Sequence, residues 1–482
     1  MPNNECEIEK MFNKPVINDS TIGAIFCRQT IFFWTNSERN TSFPLMLIFL
    51  LCVSFQTSKV FALSALSLEQ AIAIAHENDP WLKGSFHRQQ VLKSNSIAAD
   101  QLPDPKVSII ALNFPVDTFD TNQEPMTQFR IGIAQQFPRG DTLKLRSQQL
   151  VQQSDAQPFL RQNRQAEVKQ VVSLLWLEIY RAEQTITLIK KNRSLFSQLE
   201  DIVQSNYSFT LGKARQQDLV KSQLELTRFD DRLTLARDRL DNAIAQLSEW
   251  LPQESVDVFS QEELTSSIRK VPSVPWLKRE LYQANNIQDK KRQLPLFVTH
   301  PKIKAMDYQI TASETSIELA KQAYKPQWGV NAAYGYRHED RMGNDRADFL
   351  SLGITFDLPM FTPRGLGQKV RSTVENVESI KTEKSLALRQ MIAGFTKNQS
   401  RLYRLNQRHD LYQLTLIPQI KEYVEISLRA YTNDDGDLAE VTRARIAELN
   451  AEIELLDITV ERLKTIVQWN YFFTNDVLGV QQ

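Results

Sequence analysis

Landmarks in this chain recur at one spacing. Pro80 and Pro301, each heading a helical stretch, stand 221 residues apart. Pro105 and Pro326, each just before a strand-like segment, keep that spacing, as do Gly132-Ile133 and Gly353-Ile354, and Pro138 and Pro359. Phe209 and Tyr431 continue it at 222. A register held through so much of each half means two copies of one unit. Each copy reads helix, strand, strand, helix, helix, with the first over 63–290 and the second over 291–482.

The helices carry a coiled-coil period. Val168, Val172, Leu175, Ile179, Ala182, Ile186 and Ile189 step by fours and threes. So do Ser222, Leu226, Phe229, Leu233, Ala236, Leu240, Ala243 and Leu247, and later Leu449, Ile453, Leu456, Val460, Leu463 and Val467. This alternation is a packing seam between near-parallel helices, and alone it says nothing of function. Length says more. From Asp141 to Ser208 only Pro158 interrupts, and a similar run extends from Gly367 to Tyr431. Such a run gives roughly 100 Å of helix, about three bilayer cores, so these helices stand outside any membrane.

The strands alternate instead. Trp328, Val330, Ala332, Tyr334 and Tyr336 interleave with Gly329, Asn331, Ala333, Gly335 and Arg337. Leu350, Leu352, Ile354, Phe356 and Leu358 interleave with Ser351, Gly353, Thr355 and Asp357, and Phe129 to Ala134 follows suit. Val107 to Phe114 alternates poorly. A half-buried soluble hairpin would give the same pattern. Beside such long helices, it suits transmembrane strands with one apolar and one wet face, over 105–138 and 326–359. Four strands cannot close a barrel, so several chains must share one. The expected fold is therefore mostly α: a long coiled-coil helical barrel, with four strands per chain given to a common β-barrel.

Composition places the chain outside the cytoplasm. Cys6, Cys27 and Cys52 all precede residue 63, and Phe43 to Phe55 is a short apolar run ahead of Val60-Phe61-Ala62. That is a signal-peptide pattern, so 1–62 is expected to be a leader, and the chain after it lacks cysteine. Its 57 basic residues balance 57 acidic ones, which argues against a nucleic-acid partner.

Several strings then resemble the TolC family of outer-membrane efflux proteins. They are Leu66-Ser67-Leu68-Glu69-Gln70-Ala71-Ile72-Ala73 with Asn78-Asp79-Pro80, the corner Phe356-Asp357-Leu358-Pro359-Met360-Phe361, and Tyr431 through Arg445. The last leans toward the heavy-metal branch. The resemblance implies a homotrimer sharing a twelve-stranded barrel in outer-membrane lipid, continued by a helical tunnel into the periplasm. Pro80 to Leu102 would stack with Lys213 to Trp250, and Pro301 to Tyr324 with Leu438 to Tyr471, while 252–296 belongs to an equatorial region. Such channels dock onto a periplasmic adaptor and an inner-membrane pump that supplies the energy.

The same resemblance nominates a gate at the periplasmic tips. Asp218 and Glu440 match acids that line a constriction, and Tyr431 matches a tyrosine that latches the first tip's acid, here Asp218. Arg443 stands where relatives place a second acid, with Lys221 at the matching point of the first copy. Phe209, Leu211, Gly212, Asp434, Asp435 and Gly436 form the turnarounds expected to meet the adaptor. On position alone Asp218 and Glu440 read as solvated helix acids.

Other chemistry finds no footing. Read as a calcium loop, Asn433 to Asp437 would put Tyr431 first and Thr442 twelfth, where carboxylates are required. The five histidines, His76, His87, His300, His338 and His409, lack metal-ligand spacing. No catalytic motif or cofactor-binding loop is present, so neither enzyme activity nor a cofactor or metal is expected. The alternative is a periplasmic adaptor, which has one long hairpin flanked by small β domains rather than two matching copies.

Overall fold

The computed structural model describes residues 66–209, 216–251, 271–279, 282, 295, 297–361, 363–433 and 435–474, without the side chains of 202, 203, 206–209 and 218. The expected leader, most of 252–296, and Leu211, Gly212 and Asp434 lie outside these residues.

Helices α1 (Leu68–Asn78) and α2 (Pro80–Ala99) lead into strands β1 (Lys106–Leu112) and β2 (Gln128–Phe137). Then come α3 (Thr142–Phe209) and α4 (Gln216–Ser248). The second copy repeats the order as α5 (Pro301–Lys321), β3 (Gln327–Tyr336), β4 (Phe349–Asp357), α6 (Pro363–Leu411), α7 (Ile417–Thr432) and α8 (Leu438–Asn470). α1 starts on a capping box in which Ser67 and Gln70 satisfy each other's backbone N–H groups. Among the described residues no helix is long and apolar enough to cross a membrane.

α3 runs 68 residues straight through Pro158. Its counterpart is not one regular helix. A π-helical turn, Tyr412–Leu416, joins α6 to α7 immediately before Pro418. Proline has no N–H to donate, and its ring crowds the carbonyl four residues back. The wider turn removes that clash without ending the rod. The expected uninterrupted helix from Gly367 to Tyr431 thus carries a bulge.

The two copies share their cores. The α3 stripe Val168, Val172, Ile179, Ala182, Ile186 and Ile189 is buried with Phe229, Leu233 and Leu240 of α4 and with Leu449, Val460 and Val467 of α8. A second cluster gathers Phe297, Ile303, Phe395, Trp469, Phe472 and Phe473 around the start of α5. The heptad stripes read from the sequence are these seams.

The strands form one antiparallel sheet in the order β1-β2-β3-β4, so the copies meet where β2 pairs with β3. β1 is followed directly by Asn113, which takes a left-handed φ of 60°. Among the described residues both outer edges of the sheet, β1 and β4, are unpaired.

Candidate functional site

The sheet's register turns four alternating strands into two continuous faces. Val107 lies opposite Ile133, Ile109 opposite Ile131 and Ala111 opposite Phe129. Ile131 faces Tyr334, Phe129 faces Tyr336, and Phe137 faces Trp328. Tyr334 pairs with Leu350, Val330 with Ile354 and Trp328 with Phe356. Directly paired residues point the same way, so all of these share one face. That face is bare: Leu352 is 77 %, Leu350 71 % and Ile354 68 % exposed. Aromatic residues gather at its two ends, with Phe137, Trp328 and Phe356 at one and Phe129, Tyr334 and Tyr336 at the other. Trp328 and Tyr336 are roughly 26 Å apart along β3. Barrel tilt shortens that to about 20 Å of height, close to the ~25 Å apolar band between aromatic girdles of outer-membrane barrels.

The opposite face is polar and small, with Ser108, Arg130, Gly132, Asn331, Gly335, Ser351, Gly353 and Thr355. Polar neighbours lie over its glycines. Ser108 covers Gly132 and Asn331 covers Gly353, each where a Cβ would otherwise sit. Ile110 and Leu112 also fall on this side, which is why β1 alternated poorly in the sequence.

Arg139 closes the strand-to-helix corner. Its guanidinium donates to the carbonyls of Ala323 (3.0 Å) and Lys325 (2.9 Å) and pairs with Asp357. Gly140 takes φ +48° there, and Lys325 reaches Asp141 at 3.0 Å. The ends of β2, β3 and β4 are thereby tied into one corner. At the other end Arg346 donates to the carbonyls of Glu124 (2.9 Å) and Asn122 (3.2 Å), and Arg337 to that of Pro125 (3.1 Å). These bonds bind the two strand loops together.

The second helical turnaround is compact. The Asp435 N–H donates to the carbonyl of Ala430 at 3.0 Å. A Cβ on Gly436 would meet the Tyr431 nitrogen at 2.8 Å, so only glycine fits. Asp437 caps α8 by accepting from the Ala439 N–H. Val441 is fully buried, and Tyr431 is half-buried at the end of α7.

Glu440 does not stand alone. Its carboxylate pairs with Arg443 one turn along α8 and accepts the hydroxyl of Tyr423 from α7. That bond raises the Tyr423 pKa, because the carboxylate favours the protonated phenol. Sequence reading missed Tyr423, which lies further from the turn than Glu440 and is reached through the length of its ring. Lys221 is exposed on α4. The side chains of Asp218 and Phe209 lie outside the described residues, and so does any Tyr431–Asp218 contact.

Two matching helical units, joined by a four-stranded sheet that is apolar on one side, match known structures over nearly the whole described chain. The fold is that of the TolC-type outer-membrane channels. The outer-membrane channel OprN aligns with 84 % of this chain and 89 % of its own, at TM-score 0.67 and 14 % identity. CmeC of Campylobacter jejuni, also an outer-membrane channel, gives 84 % and 85 % coverage, TM-score 0.66 and 13 % identity. For CusC, whose structures are described in terms of transmembrane channel formation, the values are 84 % and 92 %, 0.64 and 13 %. The three scores differ too little to favour one branch of the TolC-type fold. No protein-family model and no curated protein matches the sequence.

Proposed function

We propose that this chain is the outer-membrane channel of a tripartite efflux system, a passive conduit from periplasm to exterior and not an enzyme. The carrying observation is the sheet, with a wide bare apolar face, aromatic ends and two open edges. In water such a face is a liability, whereas in lipid it is the outer wall of a barrel. Four strands cannot close on themselves, and pairing β4 of one copy with β1 of the next closes a barrel of twelve strands from three copies. Long helices of about 100 Å then extend the duct into the periplasm.

The tips supply the gate in this reading. Three copies of Asp218, Lys221, Tyr431, Glu440 and Arg443 would ring the opening. Phe209, Leu211, Gly212, Asp434, Asp435 and Gly436 would form the surface that meets a periplasmic adaptor, with an inner-membrane pump beyond it. Because Glu440 pairs with Arg443, its ring is charge-compensated, unlike a purely acidic constriction. The adaptor alternative has no use for a lipid-facing sheet.

Native mass spectrometry of the protein extracted from outer membranes, followed by single-channel recording, tests the proposal. A trimer beginning near residue 63 that conducts supports it. A soluble monomer, or a chain held in the inner membrane by its leader, would promote the adaptor reading instead.

A further inference from the structure

Where α1 meets α3, the first core cluster stops short of closing. A cavity of 310 Å³ lies between α1, α3, the segment 271–279 and the end of α8. Much of its wall is apolar, with Ile72 of α1, Ala166 of α3, Val274, Leu277 and Val467 of α8. Hydrogen bonds fix these walls in place. The His76 ring of α1 donates to the Gln165 carbonyl of α3 at 2.9 Å. Asn470 accepts from the Leu277 N–H at 3.0 Å and donates to the Pro275 carbonyl at 2.6 Å, while Trp469 donates to the Leu277 carbonyl at 2.9 Å. The Tyr471 hydroxyl donates to Asn163 of α3 at 2.9 Å. Protein interiors ordinarily close up around such a space, and these bonds keep it open. Its volume falls at the lower end of the ~300–1,000 Å³ typical of small-molecule sites.

Two polar groups in the wall are unanswered. Ser173 is only 4 % exposed and lines the cavity, yet its hydroxyl makes no hydrogen bond among the described residues. A hydroxyl so placed is costly until something bonds it. Lys169 stands one turn earlier on the same face of α3, also lines the cavity, and has no ion pair among the described residues. Glu69 lines it too, but is exposed in the first turn of α1, where the helix N-terminus already favours its charge. His76 adds no positive charge, because burial lowers its pKa and the nearby Lys169 lowers it further. The cavity therefore offers an apolar bed with a hydroxyl and one half-buried cation side by side.

We propose that this cavity binds a single-chain amphipathic carboxylate. Its headgroup pairs with Lys169 and accepts from Ser173, and its hydrocarbon chain lies along Ile72, Val274 and Leu277. The inference goes beyond the channel reading and does not depend on it, since one protomer supplies every wall. A bound ligand bridges α1, α3 and α8, and adds stability that grows with its concentration.

Equilibrium dialysis of radiolabelled decanoate against the full chain in phosphatidylcholine nanodiscs, with empty nanodiscs as the blank, tests the inference. Decanoate should bind saturably, one per chain, and raise the unfolding temperature as its concentration rises. Decanol should compete about tenfold more weakly, the scale of one hydrogen bond to a charged group, and decylamine more weakly still. Lys169→Gln should weaken decanoate binding about tenfold and erase its advantage over decanol. Ser173→Leu, which fills the cavity, should abolish binding; Ser173→Ala, which keeps the space and removes only the hydroxyl, should weaken it several-fold. Uptake no greater than the blank, or binding that Lys169→Gln and Ser173→Ala leave unchanged, overturns the site. Decylamine binding as tightly as decanoate overturns the anionic ligand. A chain that binds decanoate in this pattern but never conducts keeps the site and overturns the channel reading alone.

Discussion

Asp79 and His300 occupy the same place in the two repeats, 221 residues apart, and each caps the helix that follows by a different chemistry. Asp79 accepts from the Trp81 N–H at 2.9 Å and is held by Arg164 at 2.8 Å. His300 accepts from the Lys302 N–H at its Nδ1, at 3.2 Å, while its Nε2 meets the Tyr471 carbonyl at 3.1 Å. One copy caps with a charge, and the other with a neutral ring.

The neutral cap is sensitive to acid. Burial pushes the His300 pKa down to about 4, and a protonated ring could no longer accept at Nδ1. The unfolded chain takes up this proton from about pH 6.5 downward. Stability is therefore intact above that value and falls as pH drops toward 4, by up to about 3 kcal/mol. Melting curves between pH 7 and 4 should show this loss, and His300→Asn, which keeps an acceptor, should flatten it.

The charged cap should fail by parts. Asp79→Asn keeps an acceptor for the helix but strips Arg164 of its partner. Asp79→Ala removes both, so it should cost about 1 kcal/mol beyond Asn, the worth of an N-cap. Denaturant titration of the two variants measures the difference.

The sheet's two faces should answer differently to the same residue. Leu352→Arg places a charge on the apolar face and should cost about 2–4 kcal/mol near mid-membrane, read as loss of assembled protein in outer-membrane fractions. Ser351→Arg, its neighbour on the polar face, should assemble normally and alter conductance instead.

Gly436→Ala should loosen the second turnaround, since its Cβ would press on the Tyr431 nitrogen and the Ala430 carbonyl carbon. A cost of about 1–3 kcal/mol is expected for strained backbone. Faster hydrogen exchange confined to the ends of α7 and α8 would register it.

Arg443→Ala leaves Glu440 without its neighbouring cation. Reversal potentials across a salt gradient should then shift toward cation selectivity, several-fold over the wild type. Tyr423→Phe should leave selectivity nearly unchanged, because the phenol it removes carries no charge.

Much of this architecture was legible in advance. Pro80 and Pro301 announced the repeat because proline is tolerated at the first helical turn, and both stand there. The α3 and α8 stripes announced the seams, since periodicity is local information. Register was not local. Only pairing showed that Ile109, Ile131 and Tyr334 form one row. Arg139 was hidden for the same reason, because it joins elements far apart in the chain, whereas Tyr423 reaches Glu440 only 17 residues on, across the turn between consecutive helices. Pro418 gave a signal that went unread, a proline within a long helical run that required a local remedy.

The unpaired edges of β1 and β4 bear on inheritance as much as on architecture. A copy with a damaged edge spoils not itself alone but every ring it joins. In a cell making sound and damaged copies equally, random assembly into threes leaves about one ring in eight free of the defect. Edge lesions should therefore be dominant, whereas a lesion that keeps the chain from reaching the membrane should be recessive.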